Sequence, residues 1–353
     1  MTKRSKKQLA PALSVDLMAL AEYVERFPTK TVVVLGDFVA DAFQFGDITR
    51  VSREAPVLIL KHRETQIIPG GGANAANNFA ALGAKVIPIT AVGDDEAGRH
   101  LLEFFRAKRV DVSGILRAKG WTTPTKTRFL AGWAHKVGQQ VLRVDYEPGH
   151  PLPPEIHAKI QSTLAKALKK ADALAVSDYG FGVASPQELS KILAASKRPL
   201  LSTLDSRYRL TDYQRVGLHS ATPNEGEIES LHHTSIGKNL AELERCGRAT
   251  LAQMNLESLV ITRGRDGMAL FQPGMQTVHI PVHGSDQAVD VTGAGDTVLA
   301  TYTLGLTAGA TPLEAAHLAN IAGGLVVMKR GTATVSRAEL LEAIGSSASG
   351  KTS

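Results

Sequence analysis

Short apolar, β-branched runs that give way to glycine or aspartate, each followed by helical spacing, decide what this chain can fold into. Thr31-Val-Val-Val-Leu-Gly36 is the clearest. It is apolar at every second position and between, the pattern of a strand buried on both faces. Val86–Ala91, Ala173–Val176, Leu200–Leu204 and Ser258–Thr262 repeat it. Helical spacing is read over Ser14–Arg26, Ala75–Leu82, Glu96–Lys108, Pro186–Ala195 and Leu240–Met254, and two long helices, Ala294–Ala308 and Pro312–Met328, follow the last strand. Parallel strands need crossovers and helices supply them, so an α/β fold is expected: a doubly wound, mostly parallel sheet flanked by helices.

Two segments break the rhythm. Phe43–Ile68 and Thr125–Asp145 hold alternating, strand-like stretches such as Val57-Leu-Ile-Leu-Lys61. They are read as a small inserted β-lid, from about 43–68 and 120–146, within one domain over 14–345. The basic segment 1–13, with Lys3, Arg4, Lys6 and Lys7, and the serine-rich segment 346–353 are expected to be disordered tails. No apolar run reaches the roughly 18 residues that span a bilayer, and no secretory segment follows the basic start, so no membrane role and a cytoplasmic location are expected. The single cysteine, Cys246, excludes an intramolecular disulfide framework or a multi-cysteine metal site. A net charge of +6 spread along the chain suits phosphorylated substrates better than nucleic acid.

The chemistry concentrates in Asp290-Val-Thr-Gly-Ala-Gly-Asp296-Thr297. Gly293, Ala294 and Gly295 let backbone N–H groups approach an anion, and a helix start adds a favourable dipole. An aspartate beside an anion pocket is electrostatically awkward unless it accepts a proton from an attacking hydroxyl. Asp37 and Asp41 lie just past a strand end, where α/β sheets bind ligands, and carboxylates suit sugar hydroxyls.

This string resembles the C-terminal signature of the ribokinase-like (PfkB-type) carbohydrate kinases. Gly70-Gly-Gly-Ala-Asn74, Asn77, Leu82, Gly83 and Gly93-Asp-Asp-Glu-Ala-Gly98 resemble the N-terminal signature, about 220 residues earlier. The resemblance runs from Thr31 to Ala343 and implies an ATP-dependent kinase for a small-molecule sugar or sugar phosphate. It implies Asp296 as catalytic base and an anion hole at Gly293, Ala294 and Gly295. Asp37, Asp41, Gly71, Gly72 and Asn74 would bind the acceptor. Asn224 and Glu227, in Thr222-Pro-Asn-Glu-Gly-Glu227, would organise Mg²⁺, partly through water, and the ATP phosphates. Thr262, Gly264, Gly267 and Asn320 would contact the nucleotide. A monovalent cation such as K⁺ near Asp290 and a homodimer formed through the lid are implied in the same way.

Within the family the resemblance is to the heptose 7-phosphate kinase branch, on Gly36-Asp37 with Asp41, Ser52-Arg-Glu-Ala-Pro56, Thr125-Lys-Thr-Arg128, Leu142-Arg-Val-Asp145 and Ser177-Asp-Tyr179. Lys126, Arg128 and Arg143 would then face an acceptor phosphate, with Asp178 also at the acceptor. Phe181 and Arg207 stand where that branch has lysines, which leaves the acceptor open between heptose 7-phosphate, with phosphorylation at the anomeric position, and fructose phosphate, ribose or a nucleoside. A non-catalytic nucleotide- or sugar-binding regulator would lack the base or the anion hole, and neither is missing. Gly345-Ser-Ser-Ala-Ser-Gly-Lys351-Thr352 spells a P-loop, but a working one needs a strand before it and a helix after it.

Overall fold

The computed structural model describes residues 15–132, 139–196, 199–284 and 287–348. Strands are numbered along the chain. β1 (Thr31–Gly36), β4 (Lys85–Gly93), β5 (Ile115–Ala118), β8 (Ala173–Asp178), β9 (Leu201–Ser206), β10 (Ser220–Ala221), β11 (Ser258–Thr262), β12 (Met268–Phe271) and β13 (Val278–Ile280) form one sheet in the order 13-12-11-10-9-8-1-4-5. Every pairing from β5 to β11 is parallel, and β11, β12 and β13 close the edge as antiparallel neighbours. The mostly parallel α/β sheet expected from the sequence is the fold observed.

Helices cover both faces: α1 (Leu17–Arg26), α2 (Gly72–Ala81), α3 (Glu96–Ala107), α4 (Pro154–Ala167), α5 (Pro186–Ala194), α6 (Glu225–His232), α7 (Leu240–Met254), α8 (Ala294–Ala308), α9 (Pro312–Val326) and α10 (Arg337–Ala348). Alternate residues of β1 supply opposite cores. Val33 and Leu35 pack with Ile160 of α4, Leu189 of α5 and Leu243 of α7. Val32 and Val34 pack with Phe79 of α2, Leu299 of α8 and Leu318 of α9.

A second sheet, in the order 3-2-6-7, is built from β2 (Phe38–Val51), β3 (Leu58–Gly71), β6 (Thr125–Gly132) and β7 (Gln139–Tyr146). Only Asp37 separates β1 from β2, so the chain leaves the main sheet within one residue. These strands cover the two segments read as strand-like and extend past them, to Phe38 and Gly71. β3 runs straight into α2, which starts at Gly72 rather than Ala75, through Gly71 at φ 53°. The lid carries exposed apolar side chains, among them Val51, Val57, Leu142 and Tyr146.

The sequence reading passed over α4, whose prolines resemble a loop although proline is welcome in a first helical turn. It also missed β5, β10, β12 and β13, which are two to four residues long. The boundary at 345 moves, because α10 continues through Ala348, where Ser347 Oγ donates to the Ala343 carbonyl (2.9 Å). Residues 1–14 and 349–353, with the basic tail and Lys351-Thr352, lie outside the described residues. Among the described residues no helix is long and apolar enough to cross a membrane.

Candidate active site

The ends of α2 and α8 meet at one point. Gly293 caps α8 at φ 80°, and a Cβ there would stand 2.5 Å from Asn74 Nδ2, so only glycine lets the helices approach this closely. Asn74 Nδ2 donates to Asp296 Oδ2 (2.8 Å), and one turn on Thr297 Oγ1 donates to Asn78 Oδ1 (2.8 Å). Asp296 is 3% exposed, and its Oδ1 lies 3.4 Å from the Tyr179 hydroxyl. Burial pushes its carboxyl up to about 7. The charge of Asp41 acts in the same direction, while Asn74, Tyr179 and Lys126 oppose it.

In front of Asp296 lies a cavity of about 390 Å³ whose wall balances four carboxylates, Asp41, Asp205, Glu227 and Asp296, against Lys126, Arg128, Arg143 and Arg207. Arg128 Nη1 donates to Asp41 Oδ1 (2.6 Å) in a largely buried pair, and Thr332 Oγ1 donates to Asp41 Oδ2 (3.3 Å). Arg143 grips Asp145 with two bonds (2.7 and 2.5 Å). Lys126 and Arg207 instead lie over the rings of Tyr179 and Tyr208 (5.1 and 5.5 Å). Burial, then the neighbouring Arg207, holds the Lys126 ammonium below its ordinary range. Burial and the charges of Glu227 and Asp296 push Asp205 well up.

Several expected site residues stand elsewhere. Asp37 is 1% exposed and accepts the amides of Tyr179 (2.9 Å), Phe181 (3.0 Å) and Val183 (3.0 Å), which commits both oxygens to the 179–183 turn, so that of the two aspartates after β1 it is Asp41 that lines the cavity. Asp178 is fully buried and accepts from Gly180 N and the Tyr213 hydroxyl (both 2.9 Å), not from the cavity. The Gly72 amide donates to the Asp37 carbonyl (2.9 Å), so Gly71 alone of that pair lines the cavity. Asn74 reaches the cavity only through Asp296. The Ala294 amide bonds the Val291 carbonyl (3.2 Å), and of the three small residues it is Gly293 and Gly295 that face the cavity. Gly295 and Asp296 follow in the first helical turn, where amides have no carbonyl four residues back within the helix.

A narrow apolar slot of about 150 Å³ adjoins the cavity and shares Thr262, Val291 and Gly295 with it. Gly264, Gly267 and Asn320 line it, with Val282, Val298 and Val327. Asn320 Nδ2 donates to the Pro281 carbonyl (2.8 Å), fixing the wall opposite. At the junction Asn224 and Glu227 form a capping box at the start of α6, each accepting the other's amide (2.9 Å), and burial raises the Glu227 carboxyl. Beside them Thr222 Oγ1 is buried on the cavity wall with no hydrogen-bond partner among the described residues. Asp290 accepts the amides of Thr292 and Gly331 (2.9 Å each), which hold its carboxyl low against its burial.

Sequence reasoning did not single out Tyr179, Asp205, Arg207, Thr222 or Thr332 as site residues. Asp205 follows a predicted strand end, a signal that could have found it. Thr332, on the turn after α9, carried none.

A family model described as pfkB family carbohydrate kinase matches residues 29–339. Bifunctional protein HldE of Geobacter sulfurreducens is 38% identical over 315 residues, 89% of this chain and 62% of that protein. Its counterpart in Trichlorobacter lovleyi is 35% identical over 332 residues, 94% of this chain and 66% of that protein. The chain thus spans under two thirds of these relatives. Arabidopsis thaliana ribokinase, solved with ribose and ATP, superposes with a TM-score of 0.69 at 17% identity, covering 89% of this chain and 98% of that one. Escherichia coli phosphofructokinase-2, solved with substrates and products, gives 0.70 at 17% identity, covering 90% and 98%.

Proposed function

The chain belongs to the pfkB family of carbohydrate kinases, and from that premise we propose that it transfers the terminal phosphoryl group of ATP to the anomeric hydroxyl of heptose 7-phosphate, with Asp296 as the base. One observation carries this reading: a buried carboxylate at the start of α8 faces a cavity whose other walls hold Asp41 and four cations. Asp41 accepts acceptor hydroxyls, and Arg128 holds it aimed. Lys126 and Arg207 form no ion pair among the described residues and lie over aromatic rings, which suits them to an acceptor phosphate. The similarity to the HldE proteins and the motifs of the heptose 7-phosphate kinase branch support that acceptor.

Asp296 removes the proton from the attacking hydroxyl, and the Gly295 and Asp296 amides stabilise charge on the transferred group. The apolar slot takes the adenine, between Asn320 and the glycines 264 and 267. Asn224 and Glu227 would hold Mg²⁺ largely through water. The donor set fits, because it is all oxygen and includes the Thr222 hydroxyl, which has no hydrogen-bond partner among the described residues. When bound, the ion neutralises charge on the phosphates. The Asp290–Gly331 clamp suits a K⁺ site beside it, and the exposed apolar residues of the lid suit a homodimer contact. A cytoplasmic location goes with this activity.

Heptose 7-phosphate, fructose 6-phosphate, ribose and adenosine, each offered with Mg-ATP, test the acceptor. Asp296→Asn should lower kcat by roughly 10²–10⁴-fold and leave ATP affinity intact. Because the base must be ionised, the rate should rise with pH through about 7. Near-normal turnover by the asparagine variant would remove the assignment.

A further inference from the structure

Tyr179 has no part in the chemistry above, yet its hydroxyl, like the Asn74 amide, hydrogen-bonds the Asp296 carboxylate. Asn74 holds Oδ2 at 2.8 Å, whereas Tyr179 reaches Oδ1 at 3.4 Å, a long and easily displaced bond. The turn that carries the tyrosine is anchored from inside the protein. Gly180 and Gly182, at φ 85° and 94°, let alternate amides converge on one side, where Asp37 accepts those of residues 179, 181 and 183. Asp178 accepts the amide between them, from Gly180, and is itself held by the Tyr213 hydroxyl. Two buried aspartates are a costly anchor for a surface turn unless its geometry matters.

We infer that Tyr179 is a positioning residue: its phenol aims Oδ1 of Asp296 and yields that oxygen to the incoming acceptor hydroxyl, with Asp37 and Asp178 holding the tyrosine in register. This rests on Asp296 being the base, but the juxtaposition itself can be read without any substrate. The charged groups facing the pair are Asp41, Lys126, Asp205 and Arg207.

With tyrosine labelled at ¹³Cζ and assigned by Tyr179→Phe, the Tyr179 resonance should move as Asp296 ionises near pH 7, and the movement should vanish in Asp296→Asn. A resonance flat from pH 5 to 9 in the wild-type protein overturns the inference whatever the acceptor proves to be. In turnover with heptose 7-phosphate and Mg-ATP, Tyr179→Phe should lower kcat about tenfold and raise the acidic limb of the pH profile by about one unit, the size expected for losing one hydrogen bond to a charged group. Asp37→Asn should show the same split, a lowered kcat and shifted limb with acceptor KM held. A raised acceptor KM with an unmoved profile in either variant would make that residue a substrate contact and sink the inference. Wild-type protein that titrates as described but phosphorylates no acceptor would count against the proposed function alone.

Discussion

Gly70→Ala separates the acceptor site from the rest of the machinery. Gly70 is not among the glycines at positive φ, so its backbone accepts alanine. Its side, however, is occupied: a Cβ would stand 2.4 Å from Asp41 Oδ2 and 2.8 Å from Asp41 Cγ. The β2–β3 ladder holds both backbones, pairing Val39 with Gly70 and Asp41 with Ile68, so the carboxylate is the part that gives way. It must then leave Arg128, now 2.6 Å away in a pair whose side chains are 6% and 16% exposed. Losing one acceptor hydrogen bond to the displaced carboxylate is worth about 1.5–3 kcal/mol, or about 10- to 100-fold in affinity. Overpacking adds about 1–3 kcal/mol of destabilisation. Steady-state kinetics should show acceptor KM raised by that 10- to 100-fold with ATP KM unmoved, and Tm should fall by a few degrees. Gly46→Ala is the control, since its Cβ meets Leu60 and Lys61 at 3.1 Å on the same strand pair but outside the cavity. If Gly70→Ala lowers Tm and leaves acceptor KM at the wild-type value, Asp41 is not an acceptor ligand.

Gly324→Ala should act on the other substrate. Its Cβ would stand 2.3 Å from the His283 carbonyl, pushing out a wall of the apolar slot, so calorimetry should show weaker ATP binding while the acceptor still binds. Removing residues 349–353, and with them the Gly-Lys351-Thr352 end of the P-loop-like string, should leave ATP binding unchanged, because the slot is built from residues 262–327. Loss of binding on that truncation would revive the P-loop reading.

The features legible in the sequence are those in which one short string carries both its structure and its chemistry. The start and end of α8 follow from Gly293 and Gly309, both left-handed in the structure, and Asp296 sits in its first turn wherever the rest of the chain goes. Strand β1 and the two cores on its faces follow from unbroken β-branched residues. Short edge strands were illegible because two to four residues hold no period, and Thr332 because its meeting with Asp41 spans 291 positions.

The two aspartates after β1 show where such reading stops. Asp37 and Asp41 have the same parity and the same charge, and by strand alternation alone they should point the same way. The chain changes sheets between them. The Asp37 amide still bonds Ser177 of β8 (3.1 Å), so its carboxylate falls behind the main sheet onto the 179–183 turn, whereas Asp41 pairs in register with Lys126 of β6 and looks into the cavity. A one-residue crossover thus turns a repeated residue into two different parts, an anchor for a turn and a wall of the cavity. Pattern alone could not divide them, because the division depends on which sheet each strand joins, and strand pairing is settled by residues far along the chain, in β6 for Asp41 and β8 for Asp37.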